Sequence, residues 1–346
     1  MKPPSDAAAP ADAADGRRRG GGAVAGLTAL HVNWTSPHRH GLERLRGRVR
    51  ETTYRLPAAE LVTLVHGVLA WRAFHGPVEL VTDTFGATYA KEQGLDALYD
   101  RVDTALDELE SVDLDPLVYS TGAKIVAAGL RAAPFAILDT DLYLRRRLEL
   151  DPHDGFVFAH WESADGEVYP PVEHVPNLAG ADLSRWVFDT PAANMAISVF
   201  LDEQHRAAYV RAATAYAVGN SGPADGHPVV RAVFAEQRLA PAVARALGVD
   251  VRPVSERTWL TATRTWDGPD HAPLFHHTWT FKDDLRVVPE LQPAYLRFLL
   301  EELLWRFPAA VEVLRRMPDL AEHADLVAHT AADLAAHGPS TLGALR

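Results

Sequence analysis

Two carboxylates stand one residue apart at the end of a short apolar run. The run covers residues 133–138, and the carboxylates are Asp139 and Asp141. Such a run predicts a strand buried on both faces of a parallel sheet, and open α/β sheets bind ligands beyond the carboxyl ends of their strands. Because two uncompensated buried carboxylates are costly, we expect positive charge beside them, and a hard divalent cation with a diphosphate fits. The alternative is that both aspartates cap the turn or helix that follows.

The elements that must position these aspartates alternate between strands and helices. Strands are predicted at residues 27–34, 78–82, around 102 and at 133–138, with a polar loop at 35–40 and helices at 58–75, 86–94 and 116–130. Beyond them the pattern predicts strands at 155–161 and 249–254, helices at 202–217, 229–247 and 290–306, and shorter helices to residue 345. The alternation is typical of a doubly wound α/β unit.

Composition excludes several classes of function. The 346 residues are 47% hydrophobic, which indicates a globular protein with a substantial core. The formal net charge is -12 and no dense basic stripe follows the terminal segment, which argues against nucleic acid as the main partner. The absence of cysteine excludes disulfides, a thiolate zinc site and a cysteine nucleophile, and it fits a cytoplasmic protein. Residues 1–26 are rich in Ala, Pro, Asp and Gly and are predicted to be unstructured, and no apolar run is long enough for a transmembrane segment.

Short motifs flank the Asp139-Thr140-Asp141 motif in a fixed order. They occupy residues 30–36, 81–83, 120–124, 190–197, 236–239 and 276–282. In this order they resemble the GT-A glycosyltransferases, and most closely bacterial relatives of the retaining, capsule- and lipopolysaccharide-type enzymes, over roughly residues 27–285. The resemblance implies an α/β, GT-A-like (Rossmann-like) fold with a mixed, mostly parallel sheet flanked by helices. It implies a catalytic domain at 27–289 and C-terminal helical decoration at 290–346.

The resemblance also implies which residues bind the donor. Asn33 and Asp83 would border the nucleoside, Lys124 would approach the nucleotide sugar, and Lys282 would approach the diphosphate. For Asp83 the alternative is a cap on the helix that follows, and for Lys124 it is an exposed helix face.

A divalent metal, Mn²⁺ or Mg²⁺, is the cofactor that the resemblance implies. Asp139 and Asp141 would hold it together with a histidine from the pair His276 and His277, and an imidazole ligand favours Mn²⁺ somewhat. Neighbouring residues on a strand point to opposite faces, so at most one of the two histidines is a ligand. We favour His277 because Lys282 lies five residues further on, whereas the alternative is that both are ordinary loop histidines.

Three polar residues are candidates for catalysis near the acceptor. Asn194 lies in the segment that resembles the family's acceptor side, and Glu236 in the one that resembles its helix near the sugar. An inverting enzyme needs a carboxylate at the acceptor hydroxyl, for which Asp189 and Glu236 are the candidates. The resemblance leans toward retention, in which no such base is needed, and the stereochemistry stays open.

The expected function is transfer of a sugar from a nucleotide-sugar donor, a UDP-sugar by preference, to an acceptor that is a saccharide, a small molecule or a peptide. A metal-dependent phosphoesterase is one alternative, since the same carboxylates could activate water. A non-catalytic nucleotide-sugar-binding relative is another, because Met195 and Ala196 follow Asn194 where the family usually has glycine.

Overall fold

The computed structural model describes residues 24, 26–44, 54–163, 166–222, 229–261, 263–268 and 273–339. The predicted unstructured segment, residues 1–26, lies outside this part of the chain apart from Val24 and Gly26. The same holds for residues 340–346, at the end of the predicted C-terminal helices.

A seven-stranded sheet forms the centre of the molecule. The strands of all the sheets in the described residues are β1 (Ala29–Asn33), β2 (Val78–Thr82), β3 (Arg101–Asp103), β4 (Phe135–Leu138), β5 (Leu142–Leu144), β6 (Phe156–Phe158), β7 (Trp161–Glu162), β8 (Ala192–Ala193), β9 (Ile197–Phe200), β10 (Val251–Pro253), β11 (Thr258–Leu260), β12 (Thr265–Asp267) and β13 (Phe275–His277). The central sheet has the order β10-β6-β9-β4-β1-β2-β3, in which β9 is antiparallel to both of its neighbours and the other neighbouring pairs are parallel. The mixed, mostly parallel sheet predicted from the sequence is therefore confirmed.

Helices cover both faces of this sheet. They are α1 (Ser36–Arg44), α2 (Ala58–Phe74), α3 (Thr84–Glu92), α4 (Gly122–Gly129), α5 (Glu203–Gly219), α6 (Val229–Val233), α7 (Leu239–Leu247), α8 (Trp279–Val287), α9 (Gln292–Arg306), α10 (Ala310–Leu314) and α11 (Ala324–His337). A π-helical turn, Phe234–Arg238, joins α6 to α7 and is called the π turn below. Within the part of the chain that the structure describes, no helix combines the length and apolar character needed to cross a bilayer.

Strand alternation divides the core into two layers. On β4, Ala136 and Leu138 pack into a cluster with α2, α9 and α11, whereas Phe135 and Ile137 pack into a second cluster with α4, α5 and α7. Successive side chains of a strand point to opposite faces, so an apolar run without polar interruptions is required when helices cover both faces. This is the physical origin of the apolar run that ends at Asp139.

Four elements differ from the prediction. The strand predicted at 155–161 is divided into β6 in the central sheet and β7 in a small separate sheet. The loop predicted at 35–40 is wrong, because helix α1 begins at Ser36 and Pro37 fits the first turn of a helix despite the polar composition. The helix predicted at 116–130 begins only at Gly122, since Asp115 holds residues 117–119 in a turn through its carboxylate and carbonyl oxygens. The helix predicted at 229–247 is interrupted by the π turn.

Two small sheets were not predicted. One pairs β5 with β13, and the other has the order β12-β11-β7-β8. Their strands are two or three residues long. So short a segment carries no recognisable periodicity, and its pairing depends on contacts distant in sequence.

Candidate metal and substrate site

Strand pairing brings a histidine beside the two aspartates. Asp139 follows β4, Asp141 immediately precedes β5, and the antiparallel ladder between β5 and β13 sets His277 opposite Leu142. The His277 Nε2 atom lies 3.4 Å from Asp141 Oδ1 and 3.8 Å from Asp139 Oδ2. One ligand atom from each of the three residues can be chosen so that all lie within 4.8 Å of one another. The register of a two-stranded ladder thus joins residues that are more than 130 positions apart in the sequence.

A lysine neutralises Asp141, the more buried of the two aspartates. Lys282, on α8, places its Nζ atom 3.1 Å from Asp141 Oδ2 and 2.9 Å from Glu60 Oε1 in the first turn of α2. Burial alone would raise the pKa of Asp141, but the charges and hydrogen bonds of His277 and Lys282 outweigh it and hold that pKa well below its usual range. Asp141 is therefore ionised at neutral pH, as a metal ligand must be.

A second lysine pairs with both Asp139, the more exposed aspartate, and a buried glutamate. Lys124, in the first turn of α4, forms an ion pair with Asp139 and lies 2.9 Å from Glu236 Oε1 on the π turn. Burial opposes the charge on Lys124, but Asp139 and Glu236 raise its pKa above the ordinary value. Burial and the neighbouring Asp139 raise the pKa of Glu236, and Lys124 opposes that rise. Single π turns inside α-helices occur frequently at functional sites.

The chemistry of these side chains fits a hard divalent cation. Asp139 and Asp141 offer carboxylate oxygens and His277 offers an imidazole nitrogen, a donor set that suits Mn²⁺ or Mg²⁺. Asp139 is the more exposed of the two carboxylates, which leaves an open side for further ligands. Among the residues described, these three are the one group of His, Asp and Glu side chains close enough together to hold an ion.

The neighbouring histidine points to the other side of β13. The Nε2 atom of His276 lies 2.8 Å from the hydroxyl oxygen of Tyr295 on α9. The Tyr295 hydroxyl donates a hydrogen bond of 3.1 Å to Thr278 Oγ1. Of the two candidates, the structure therefore brings His277 to the aspartates and packs His276 against the C-terminal helices.

Two cavities meet at this cluster. The smaller has a volume of about 240 Å³ and the larger about 490 Å³. Both are lined by Thr121, Lys124, Asp139, His277 and Trp279. The smaller cavity continues past Val32, Trp34, Asp141 and Lys282, and the larger past Glu162, Tyr169, Asn194, Glu236 and Trp259. The volume of the larger cavity falls within the range of about 300–1,000 Å³ that is typical of small-molecule sites.

Besides Asp139 and Glu236, a third carboxyl group, that of Glu162, lines the larger cavity. Glu162, at the end of β7, is 1% exposed and accepts a hydrogen bond of 2.7 Å from Asn194 Nδ2. Burial raises the pKa of Glu162 to about 8, and the Asn194 hydrogen bond opposes only part of that rise. The other carboxyl oxygen, Oε2, is buried without a hydrogen-bond partner among the described residues. Asn194 also accepts from the amide of Ala196, whose carbonyl accepts from the amide of Asp139.

Three residues predicted at the site have partners elsewhere and line neither cavity. Asp83 caps α3 by accepting from Gly86 N at 2.7 Å, and its other oxygen accepts from the amide and hydroxyl of Thr35. Asn33 accepts a hydrogen bond of 2.8 Å from the Tyr54 hydroxyl.

Asp189 is the third. Its side chain is 49% exposed and forms an ion pair of 3.0 Å with Arg245 on α7. The structure thus brings together Lys124, Asp139, Asp141, Asn194, Glu236, His277 and Lys282, and leaves Asn33, Asp83 and Asp189 outside the two cavities.

Sequence reasoning missed Glu162 although a signal was present. Glu162 directly follows the strand predicted at 155–161, just as Asp139 directly follows an apolar run. Trp259 and Trp279, whose rings meet edge to face at 5.2 Å, carried no comparable signal, because a tryptophan in a short strand or at a helix start is usually a core residue.

No protein-family model matches this chain, and no curated protein matches it. Solved structures similar to it include the crystal structure of mouse xyloside xylosyltransferase 1 in its apo form. The two chains are 12% identical with a TM-score of 0.33, and the match covers 64% of this chain and 83% of the other. A likeness this distant does not bear on the activity of the chain.

Proposed function

We propose that this protein is a metal-dependent glycosyltransferase that moves a sugar from a nucleoside diphosphate donor, a UDP-sugar by preference, to a hydroxyl group. The observation that carries the proposal is the convergence of Asp139, Asp141 and His277 at the point where two cavities meet. A transferase needs one compartment for each substrate and a centre of positive charge between them, and the arrangement of cavities supports that division.

The donor is assigned to the smaller cavity. Asp139, Asp141 and His277 would hold the divalent cation there, which when bound neutralises negative charge on the leaving diphosphate. The ammonium group of Lys282 lines the same cavity and supplies a fixed positive charge for phosphate oxygens. Lys124 lines both cavities and is held by Asp139 and Glu236. This position supports a role for its charge at the junction, where the bond to the sugar would break.

The acceptor is assigned to the larger cavity. Its polar lining includes the carboxyl groups of Glu162 and Glu236 and the amide of Asn194, which can hold hydroxyl groups in a defined orientation. The rings of Trp259 and Trp279 add apolar surface beside them, so the cavity combines the two kinds of contact that small polar ligands need.

Nucleotide binding with and without metal tests the proposal. We expect calorimetry to detect UDP binding in the presence of Mn²⁺ and to lose it with a chelator. Asp139→Ala and Asp141→Ala should each weaken Mn²⁺-dependent UDP binding by at least about tenfold, because each removes a charged ligand. Circular dichroism verifies that the variants fold.

Glu92→Ala, an exposed carboxylate on α3 away from both cavities, is the matched control and should bind UDP as the wild type does. Unchanged UDP affinity in both aspartate variants would refute the metal-dependent donor site. Release of phosphate from simple phosphate esters, without nucleotide binding, would favour a phosphoesterase instead.

A further inference from the structure

Three carboxyl groups line the larger cavity, and two of them are already engaged. Asp139 is paired with Lys124 and belongs to the metal cluster, and Glu236 lies 2.9 Å from the same lysine. Glu162 differs because it forms no ion pair among the described residues, and its one hydrogen bond there is the one that Asn194 donates to Oε1. The oxygens of Glu236 are also buried without a hydrogen-bond partner, but the charge of Lys124 holds that carboxyl group. The Oε2 atom of Glu162 is a buried acceptor for which a ligand in the cavity would be the partner.

We propose that Glu162 is the group that binds the acceptor hydroxyl and takes its proton during transfer. The inference rests on the proposed function, since it assigns the acceptor to the larger cavity. In the reaction, the hydroxyl oxygen forms a bond to the anomeric carbon while the bond from that carbon to the diphosphate breaks. The electron pair of the broken bond leaves with the diphosphate, and the hydroxyl proton passes to Glu162 Oε2.

Asn194 serves Glu162 as a positioning residue. Its amide nitrogen donates to Glu162 Oε1, and its amide oxygen accepts from the backbone amide of Ala196. Both ends of the side chain are thereby fixed, so Oε2 is the carboxyl oxygen left for a ligand. The backbone of Ala196 in turn accepts from the amide of Asp139, which ties Glu162 to the metal cluster by a chain of hydrogen bonds.

The surroundings of Glu162 suit a proton acceptor near neutral pH. Burial places its pKa at about 8, close to the working range in which a general base is most effective. The titratable groups that line the same cavity are Lys124, Asp139, Tyr169, Glu236 and His277. The hydroxyl of Tyr169 donates to Gln237 at 2.6 Å, and burial keeps the Tyr169 pKa well above its ordinary value, so that hydroxyl stays neutral across this range.

Hydrolysis of the donor tests the assignment without knowledge of the acceptor, because water can occupy the place of the hydroxyl. UDP release from a panel of UDP-sugars with Mn²⁺ is measured from about pH 6 to about pH 9, alongside UDP affinity by calorimetry. We expect the wild-type rate to rise with pH through a midpoint near pH 8. Glu162→Gln should lower the rate at least about tenfold and flatten the profile, with UDP affinity changed by less than about twofold.

The glutamine variant is conservative, because its amide oxygen can still accept the hydrogen bond from Asn194. Glu92→Gln, the same change at an exposed position of α3, should keep the wild-type rate and profile. A Glu162→Gln rate and profile equal to those of the wild type would overturn the proposal. If that variant does not fold, a wild-type rate that is independent of pH would overturn the proposal equally. The absence of UDP release from every donor that binds would also overturn it. Loss of UDP binding by the wild type would instead refute the donor site.

Discussion

The carboxyl group of Glu162 links the stability of the protein to pH. Its pKa is raised from 4.5 to about 8 in the folded state because burial disfavours the charged form. Between these two pH values the unfolded state releases a proton that the folded state retains. The contribution of Glu162 to the free energy of unfolding is therefore fully present below pH 4.5. It falls as the pH rises through this window, by at most about 1.4 kcal/mol per pH unit.

Glu162→Gln removes this dependence, since an amide does not titrate. We expect the free energy of unfolding of the variant, relative to the wild type, to increase steadily from about pH 5 to about pH 8. Urea unfolding at a series of pH values measures the difference, and Glu92→Gln supplies the baseline for an exposed carboxylate. A difference that stays constant over that range would mean that Glu162 titrates normally.

The structure brings together those predicted residues that carried a signal of their own in the sequence. Asp139 and Asp141 interrupt an apolar run, so their chemistry selected them, whereas Lys282 was selected by the resemblance of residues 276–282 to a family motif. Asp83 also ends a strand, yet its oxygens are used by Thr35 and Gly86, and no local pattern distinguishes a capping carboxylate from a ligand-binding one. Glu162 shows the converse, because its importance depends on burial that only the folded chain supplies.

Helix α2 packs closely against strand β5 at Gly67. A Cβ atom at Gly67 would lie 2.7 Å from the carbonyl oxygen of Leu142 and 3.3 Å from the His31 ring. Both neighbours are fixed, since Leu142 is held in the ladder with β13 and His31 is buried. The closeness of this contact determines where β5 lies, and β5 begins directly after Asp141.

Gly67→Ala should therefore displace β5 and disturb the metal cluster. We expect a loss of about 1–3 kcal/mol in the free energy of unfolding, as for other overpacked cores, together with weaker Mn²⁺-dependent UDP binding. Gly41→Ala on α1 is the control, because its nearest neighbour would be 3.9 Å away and alanine favours a helix. A Gly67→Ala protein with wild-type stability and UDP affinity would show that β5 adapts without cost to the site.

The π turn and the small β5–β13 sheet escaped prediction because both depend on contacts that form only in the folded molecule. The residues of the π turn fit a helical pattern, and only contacts in the folded molecule distinguish an α-helix from one with a wider turn. Strands β5 and β13 have three residues each, so their pairing is decided by a contact between residues more than 130 positions apart. Elements with enough residues to show a pattern of their own, such as α2 with 17 and β2 with 5, were predicted within a residue or two of their observed bounds.

The C-terminal helices are joined to the site by a buried ion pair. Glu302 on α9 accepts a hydrogen bond from the Tyr143 hydroxyl and lies 2.8 Å from Arg145. Tyr143 belongs to β5, and the Arg145 side chain is 11% exposed. We propose from this contact that the described helices of residues 290–339 form one cooperative unit with the described residues that precede them, whereas the sequence predicts residues 290–346 as C-terminal helical decoration.

Glu302→Ala tests this unity because it removes the carboxylate that pairs with the largely buried Arg145 side chain. We expect a loss of about 3–5 kcal/mol in the free energy of unfolding, the range typical when one member of a buried ion pair is removed. Glu312→Ala on α10, where the carboxylate is 61% exposed beside Arg315, should change stability by less than about 0.5 kcal/mol. Urea unfolding followed by both circular dichroism and tryptophan fluorescence should give one transition for the wild type and the same single transition, at lower urea, for Glu302→Ala. Two separate transitions, with UDP binding retained after the first, would mean that the C-terminal helices unfold independently of the metal site, because α9 could then detach without moving β5.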